Sequence, residues 1–266
     1  MSAALTLWVK GMGLWAPGIA DWSQFCDVVR GNATPGEVTR PLADALPPNE
    51  RRRAPESVLL AAAAAGQAVT MSGRSAADLP CVFVSGHGDQ TITDYMCETL
   101  ATAPTELSPI RFHNSVHNAP AGYWTIATHC HAASSAVSAA DFSFGAGLLE
   151  AATLAVADDR DVLFVAYDIA GTGLLGEMTR STGAFAASLV LSPHEEPGAI
   201  RVDVSLVAGN IAAGPGDVSV LAPIARSNPS ALGLPLMEAL ARGAPQAVRI
   251  AAAGNLDLHV DMESLR

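Results

Sequence analysis

Apolar residues follow two patterns along the chain, and together they predict alternating strands and helices. Short continuous apolar runs, such as CVFV at residues 81 to 84 and VLFVAY at 162 to 167, are typical of buried strands. Longer apolar runs, such as VLLAAAAAGQAV at 58 to 69, are typical of helices, and Gly73 lies where this helix is expected to end. This alternation predicts an α/β layer with a mostly parallel sheet.

The pattern changes after residue 184, where strands follow one another with few helices between them. We therefore predict one domain at residues 1–195 and a C-terminal segment at residues 196–266 that packs on it. The late part of the chain contains four predicted strands and one predicted helix: AFAASLVLSP, AIRVDVSLVAG, QAVRIAAAG and the terminal LDLHVDM are the strands, and GLPLMEALARG is the helix.

One predicted helix, at residues 142–157, is apolar on nearly all sides. Glu150 is its only charged residue. A helix of this kind must be covered on every side. If the rest of the chain does not cover it, another subunit must.

Composition excludes two classes of partner. Half of the 266 residues are apolar, the net charge is −11 and the pI is near 4.9. Nucleic acids and anionic membranes bind clustered Lys and Arg, and the only basic run here is Arg51-Arg52-Arg53. The apolar run at 58 to 69 is shorter than the roughly 20 residues that a membrane-spanning helix needs. We expect a cytoplasmic protein without a nucleic-acid or membrane partner.

The cysteines and histidines do not predict a metal site. The four cysteines are widely spaced and form no CxxC motif, which favours reduced thiols. In an extended chain His129, Cys130 and His131 would point to alternating sides, so they would not converge on one ion. His113 and His117 would share a face of a helix, but Asn114-Ser115 is typical of a helix start and would leave His113 outside. We predict no metal and no cofactor.

Several segments, taken in order from residue 4 to about residue 193, resemble the N-terminal half of β-ketoacyl synthases. They include TLWVKGMGLWAPG, the Asn-x-x-Ala-Gly motif at 118–122, DVLFVAYD and TGAFAASLVLSP. The chain looks closest to the chain-length-factor-like proteins of type II polyketide and aryl polyene pathways. The resemblance implies an α/β, truncated thiolase-like fold: mostly the N-terminal half, with a mixed sheet and helices on both faces, plus a short C-terminal β-rich segment.

The resemblance also locates the residue that would be the nucleophile. The family spacing places it at residue 141, nineteen residues after Gly122 and twenty before Asp161, and residue 141 is an aspartate. Cys130 falls eleven residues too early. A synthase needs a thiolate that attacks an acyl thioester, whereas a carboxylate would form an anhydride that is unstable in water. We interpret Asp141 as the N-cap of the helix that follows.

The two catalytic histidines of the family have no counterpart here. His194 lies in a predicted turn and His259 in a predicted terminal strand, and neither has the expected context. The resemblance therefore implies that this chain does not catalyse condensation by itself and has no catalytic residues.

The segment before the Asn-x-x-Ala-Gly motif is the predicted interaction site. In the similar heterodimers it lies at the dimer contact and reaches toward the partner's acyl tunnel. By position the candidate residues are Phe112, Val116, His117, Asn118 and Trp124. The alternative is that Phe112, Val116 and Trp124 are core residues.

These features lead to two hypotheses of different classes. The first is a non-catalytic, chain-length-factor-like subunit that pairs with a full-length β-ketoacyl synthase and shapes its acyl tunnel, in type II polyketide or fatty-acid-like biosynthesis of the aryl polyene type. Acyl carrier protein would then be bound mainly by the partner. The second is a stand-alone acyl-thioester hydrolase or decarboxylase that uses Asp141 or the His129/Cys130 region. A homodimeric scaffold for acyl carrier protein is disfavoured because both proteins would be acidic.

Overall fold

The computed structural model describes residues 4–37, 40–209 and 221–263, so parts of both predicted domains lie outside the described residues. The described residues contain eight strands, which we number in chain order. They are β1 (Leu5–Trp15), β2 (Cys81–Val84), β3 (Ser134–Val137), β4 (Val162–Asp168), β5 (Phe185–Ser192), β6 (Ile200–Ala208), β7 (Gln246–Ala253) and β8 (Leu256–Met262).

Helices occupy most of the connections between these strands. The described helices are α1 (Trp22–Val29), α2 (Pro48–Arg53), α3 (Glu56–Ser72), α4 (Gln90–Thr102), α5 (Pro109–Asn114), α6 (Ala119–Thr128), α7 (Ser143–Ala157), α8 (Gly173–Thr179), α9 (Ala222–Ala225) and α10 (Leu234–Arg242). The long predicted helices at 58 to 69 and 142 to 157 are α3 and α7. As predicted, α3 ends at Gly73, whose φ of 66° lies in the left-handed region that glycine tolerates.

All eight strands belong to one sheet with the order β3-β2-β4-β5-β1-β6-β8-β7. β2 is parallel to β3 and to β4, and the other five pairings are antiparallel. The prediction of a mostly parallel sheet is therefore wrong. A parallel pair needs a long crossover, whereas a short turn between β7 and β8 reverses the chain, and β1 lies between β5 and β6 and is antiparallel to both.

The alanine-rich helix α3 packs tightly on β1 because both contain small residues. Gly11 and Gly13 of β1 lie directly under the carbonyl oxygens of Ala68 and Ala64, where a Cβ atom would collide with the helix backbone. The Ser188 hydroxyl of β5 donates a hydrogen bond of 2.6 Å to the Ala64 carbonyl oxygen. The runs of alanine and glycine thus allow the close contact of helix and sheet.

Buried side chains fill both faces of the sheet, because successive residues of a strand point to opposite sides. Val82 and Val84 of β2 lie in the cluster that includes α1, α7 and α10. Cys81 and Phe83 lie in the opposite cluster, which includes α3 and α6. The predicted class, a mixed sheet with helices on both faces, is confirmed, and strands buried on both faces account for the continuous apolar runs in the sequence.

Candidate functional site

Residue 141 lies at an elbow between β3 and α7. A short 3₁₀ turn, Ala140–Phe142, connects the strand to the helix, and Ala140 has a φ of 48°, in the left-handed region. Asp141 is exposed. Asp141 thus lies between the end of a strand and the beginning of a helix.

The prediction that Asp141 caps α7 is wrong. The residue that precedes the helix is Phe142, and no side chain caps the first turn there. Instead Ser143, the first residue of the helix, closes the elbow: its hydroxyl accepts a hydrogen bond of 2.8 Å from the Ala139 amide and donates one of 2.7 Å to the Ala140 carbonyl oxygen. The 3₁₀ turn separates Asp141 from the helix, so the carboxylate remains at the surface.

The beginning of α7 is covered by the C-terminal part of the same chain. Phe144 is 1 % exposed and packs edge-on against Phe164 of β4, with 5.1 Å between ring centroids. A 3₁₀ helix, Pro229–Gly233, lies above it, and Gly233 contacts the Phe144 ring so closely that a Cβ atom would not fit. The helix also packs on β7. The apolar pattern of residues 142–157 therefore does not require another subunit.

The length and apolar composition of α7 would also fit a membrane-spanning helix, but burial within the protein accounts for them. The stretch Ala140–Ala157 is long and apolar enough to span a membrane by length and composition. However, eight residues of α7 are buried in the protein, and they face the sheet and the C-terminal segment. A core helix passes the same length and composition test, which explains the apolar pattern.

Asp168, the last residue of β4, is a buried carboxylate that was not predicted as a functional residue. It is 1 % exposed and accepts hydrogen bonds from the Ser85 and Ser230 hydroxyls, both at 2.7 Å, and from the Gly86 and His87 amides, at 3.1 and 3.2 Å. Burial raises the pKa of Asp168, while these four hydrogen bonds favour the ionised form. An acidic residue at the end of a fully apolar strand was the signal in the sequence.

Cys130 lies at the other end of β3 from the elbow. It follows α6, whose last turn ends at His129 with a left-handed φ of 55°. The Cys130 thiol is buried and donates a hydrogen bond of 3.2 Å to the Leu79 carbonyl oxygen. Burial, with a smaller contribution from the nearby Cys130, raises the pKa of the Cys81 thiol to about 12. Cys81 is therefore a neutral core thiol.

Within the described ranges, no group of three His, Cys, Asp or Glu side chains is arranged to hold a metal ion. His113 lies inside α5, which ends at Asn114, so the prediction that a helix begins at Asn114-Ser115 is wrong. His117 lies beyond the helix and is half-buried. Its Nε2 atom is 3.1 Å from the Ser85 carbonyl oxygen, and its own carbonyl accepts a hydrogen bond of 3.2 Å from the Tyr167 hydroxyl.

An open apolar groove lies between α2, α5 and α6. Its volume is about 1020 Å³. Four large apolar side chains that line it are exposed: Ile110 (58 %), Phe112 (59 %), Val116 (53 %) and Ile126 (77 %). Most apolar side chains of this size are buried in the chain, and a contiguous exposed patch is typical of an interaction surface.

The groove separates the predicted interface residues into three that line it and two, His117 and Trp124, that do not. Phe112, Val116 and Asn118 line it and are exposed. Trp124 is 1 % exposed and packs in the core beneath α3, so the expectation that it lines an interface is corrected in favour of the core alternative. It faces inward because α6 packs its inner side on α3, while Ile126 lies on the outer side.

Comparison with known protein families supplies the identity of the fold. Residues 22–214 match the family described as β-ketoacyl synthase, N-terminal domain. The chain belongs to this family. The resemblance to the N-terminal half of the synthases is thereby confirmed, and the matched range contains both the elbow and the groove-forming helices α5 and α6.

Solved structures with the same fold include ketosynthase complexes. One chain of the ketosynthase ApeO in complex with its chain length factor ApeC, from Xenorhabdus doucetiae, has 24 % identity and a TM-score of 0.73, with 97 % of this chain and 99 % of that chain covered. The ishigamide ketosynthase/chain length factor has 14 % identity and a TM-score of 0.70 over 98 % and 100 %.

A β-ketoacyl synthase structure from Burkholderia phymatum STM815 has 11 % identity and a TM-score of 0.67, and both chains are covered fully. At these identities the likeness shows the fold, which confirms the predicted thiolase-like class. A search of curated proteins finds no significant relative.

Proposed function

We propose that this β-ketoacyl synthase-like chain is a non-catalytic subunit that pairs with a full-length β-ketoacyl synthase and forms part of the wall of its acyl tunnel. The observation that carries the proposal is the groove between α2, α5 and α6, with four large apolar side chains exposed around it. Removal of an exposed apolar surface of this extent from water is favourable, so it would stabilise a complex with a partner that covers the groove.

The elbow supports the non-catalytic part of the proposal. Asp141 stands where the family has its nucleophile, and a carboxylate does not provide the thiolate that attacks an acyl thioester. The C-terminal segment covers the adjoining turn of α7, with the Pro229 side chain against Gly86 and Gly233 against Phe144. The partner would therefore supply the nucleophile and the histidines.

The similar structures suggest the kind of partner. Among them are a ketosynthase in complex with its chain length factor and an acyl carrier protein in complex with a type II polyketide ketosynthase. By analogy, we expect this chain to form a heterodimer in polyketide or aryl polyene biosynthesis, with acyl carrier protein bound mainly by the synthase. We further expect a cytoplasmic location.

The test is co-expression with the full-length β-ketoacyl synthase encoded nearest to this gene, followed by size-exclusion chromatography with light scattering and a malonyl condensation assay. We expect a one-to-one heterodimer whose condensation activity requires this chain. Phe112→Asp and Val116→Asp should each weaken assembly about tenfold or more, because a charge would be buried in the interface.

Leu256→Asp is the matched control, since Leu256 is also exposed but lies on β8, which pairs with the edge strand β7 at the end of the sheet opposite β3. It should leave assembly unchanged, and Asp141→Ala should leave the activity of the pair unchanged. If instead the isolated chain hydrolyses or decarboxylates an acyl thioester and Asp141→Asn abolishes that turnover, the proposal is overturned in favour of an enzyme.

A further inference from the structure

The buried carboxylate of Asp168 joins two segments that are distant in the sequence. Each of its oxygens accepts one hydroxyl and one amide: Oδ1 accepts from Ser85 and the His87 amide, and Oδ2 accepts from Ser230 and the Gly86 amide. Ser85 to His87 form the turn after β2, whereas Ser230 belongs to the 3₁₀ helix Pro229–Gly233. One side chain thus connects the end of the parallel strands to the C-terminal segment.

Asn228 reinforces this connection from the C-terminal side. It is 2 % exposed, and its Nδ2 atom donates hydrogen bonds of 3.1 Å to the carbonyl oxygens of Asp168 and Gly183. Its Oδ1 atom accepts from the Ser230 and Ala231 amides at 3.1 and 3.2 Å, which starts the 3₁₀ helix. The position of this 3₁₀ helix is therefore set by polar bonds to the end of β4 as well as by apolar contact.

The connected segment closes the region beside the elbow. Pro229 lies against Gly86, where an added Cβ atom would be 2.6 Å from the proline side chain and 3.1 Å from the Ala140 carbonyl oxygen. Gly233 lies against Phe144, the second residue of α7. Movement of residues 228–233 would expose Phe144 and open the space next to Ala140.

We propose that the Asp168 carboxylate holds residues 228–233 over the elbow. When its hydrogen bonds are lost, this segment and the first turn of α7 open together. Buried hydrogen-bond networks of this kind fix one arrangement because each unsatisfied group is costly. Segments whose free energy of opening is lower than the free energy of global unfolding open as cooperative units. The inference does not depend on the proposed partner, since it concerns contacts within one chain.

Asp168→Asn is a sharp test because neither orientation of the amide fits. Each oxygen of Asp168 accepts a backbone amide, from Gly86 on one side and His87 on the other, and a backbone amide cannot become an acceptor. The NH₂ group of an asparagine would therefore face an N–H donor whichever way it is turned, although the side chain keeps its size and shape.

The measurement is amide hydrogen exchange of the full chain, followed by mass spectrometry of peptides. In Asp168→Asn we expect exchange in residues 228–236 and 143–148 to become about tenfold faster, while β6 and α3 keep their rates. Ser230→Ala, which removes one donor and leaves the carboxylate, should accelerate the same peptides by a smaller factor. It also keeps the test decisive if the asparagine variant does not fold.

Asp257→Asn provides a matched control. Asp257 is also 1 % exposed, but it lies in β8 and is paired with Arg249 at 2.7 Å. This variant should accelerate exchange in β7 and β8 and leave residues 228–233 unchanged. The proposal is overturned if exchange at 228–233 is unchanged in both Asp168→Asn and Ser230→Ala. It is also overturned if exchange accelerates equally throughout the chain.

Discussion

Two apolar regions of this protein, the first turns of α7 and the outer face of α5 and α6, have opposite relations to the rest of the chain. Phe144 on α7 is 1 % exposed and is covered by β4 and the C-terminal 3₁₀ helix, whereas Phe112 on α5 is 59 % exposed beside an open groove. Both regions require cover by the same hydrophobic argument. An apolar pattern thus predicts that a region must be shielded from water, but it does not predict whether the same chain or a partner shields it.

The largest expected difference is between the two phenylalanines. Phe144→Ala should reduce the free energy of unfolding by about 3–5 kcal/mol, because it leaves a cavity between α7, β4 and the C-terminal segment. Phe112→Ala should change it by less than about 0.5 kcal/mol in the isolated chain, since the ring contacts mainly water. Urea denaturation followed by circular dichroism measures both values, and equal losses would contradict the contrast.

Substitution of two glycines by alanine tests the same contrast between covered and open helices without a change of polarity. A Cβ atom on Gly145 of α7 would collide with the Ala251 backbone of β7, so Gly145→Ala should cost about 1–3 kcal/mol of unfolding free energy. A Cβ atom on Gly122 of α6 meets nothing within 4 Å, so Gly122→Ala should stabilise the isolated chain by about 0.5–1 kcal/mol through helix propensity. Thermal and urea unfolding should give opposite signs. A loss in both variants would mean that α6 is covered too.

At the elbow we expect only a small change in the free energy of unfolding. Ala140 is held at a φ of 48°, which is unfavourable for a residue with a Cβ atom. Ala140→Gly should therefore stabilise the chain by about 0.5–1 kcal/mol, after the larger unfolded-state entropy of glycine is taken into account. Ala127→Gly in α6 is the control and should destabilise by about 1 kcal/mol. A loss at residue 140 would show that the strain of the left-handed turn is smaller than the entropic cost of glycine.

Much of the fold was predictable because it depends on local pattern. The continuous apolar runs identify β2 and β4, and the long apolar segments identify α3 and α7. Short elements were missed: β3 has the weak pattern SSAV, α2 lies in a proline-rich stretch and α8 has only seven residues. Such elements are stabilised by the sheet or by neighbouring helices rather than by their own propensity.

The candidate site was predictable in part. Family spacing placed residue 141 at the position of the nucleophile, and Phe112 and Val116 were named as interface candidates; their role in a dimer stays a prediction. Trp124 was assigned to the same surface, although it belongs to the core. Its sequence position, one or two turns from the exposed residues, does not determine the side of α6 that faces α3.

The α/β character, the two long apolar helices and the carboxylate at the family's nucleophile position follow from residue type and local spacing alone. Three features could be seen only in the folded chain: α7 is covered by its own chain, Asp168 joins β2, β4 and the C-terminal segment, and α5 and α6 leave an apolar groove open. These features arise from contacts between residues far apart in the chain, and local pattern carries no information on which distant segment will supply them.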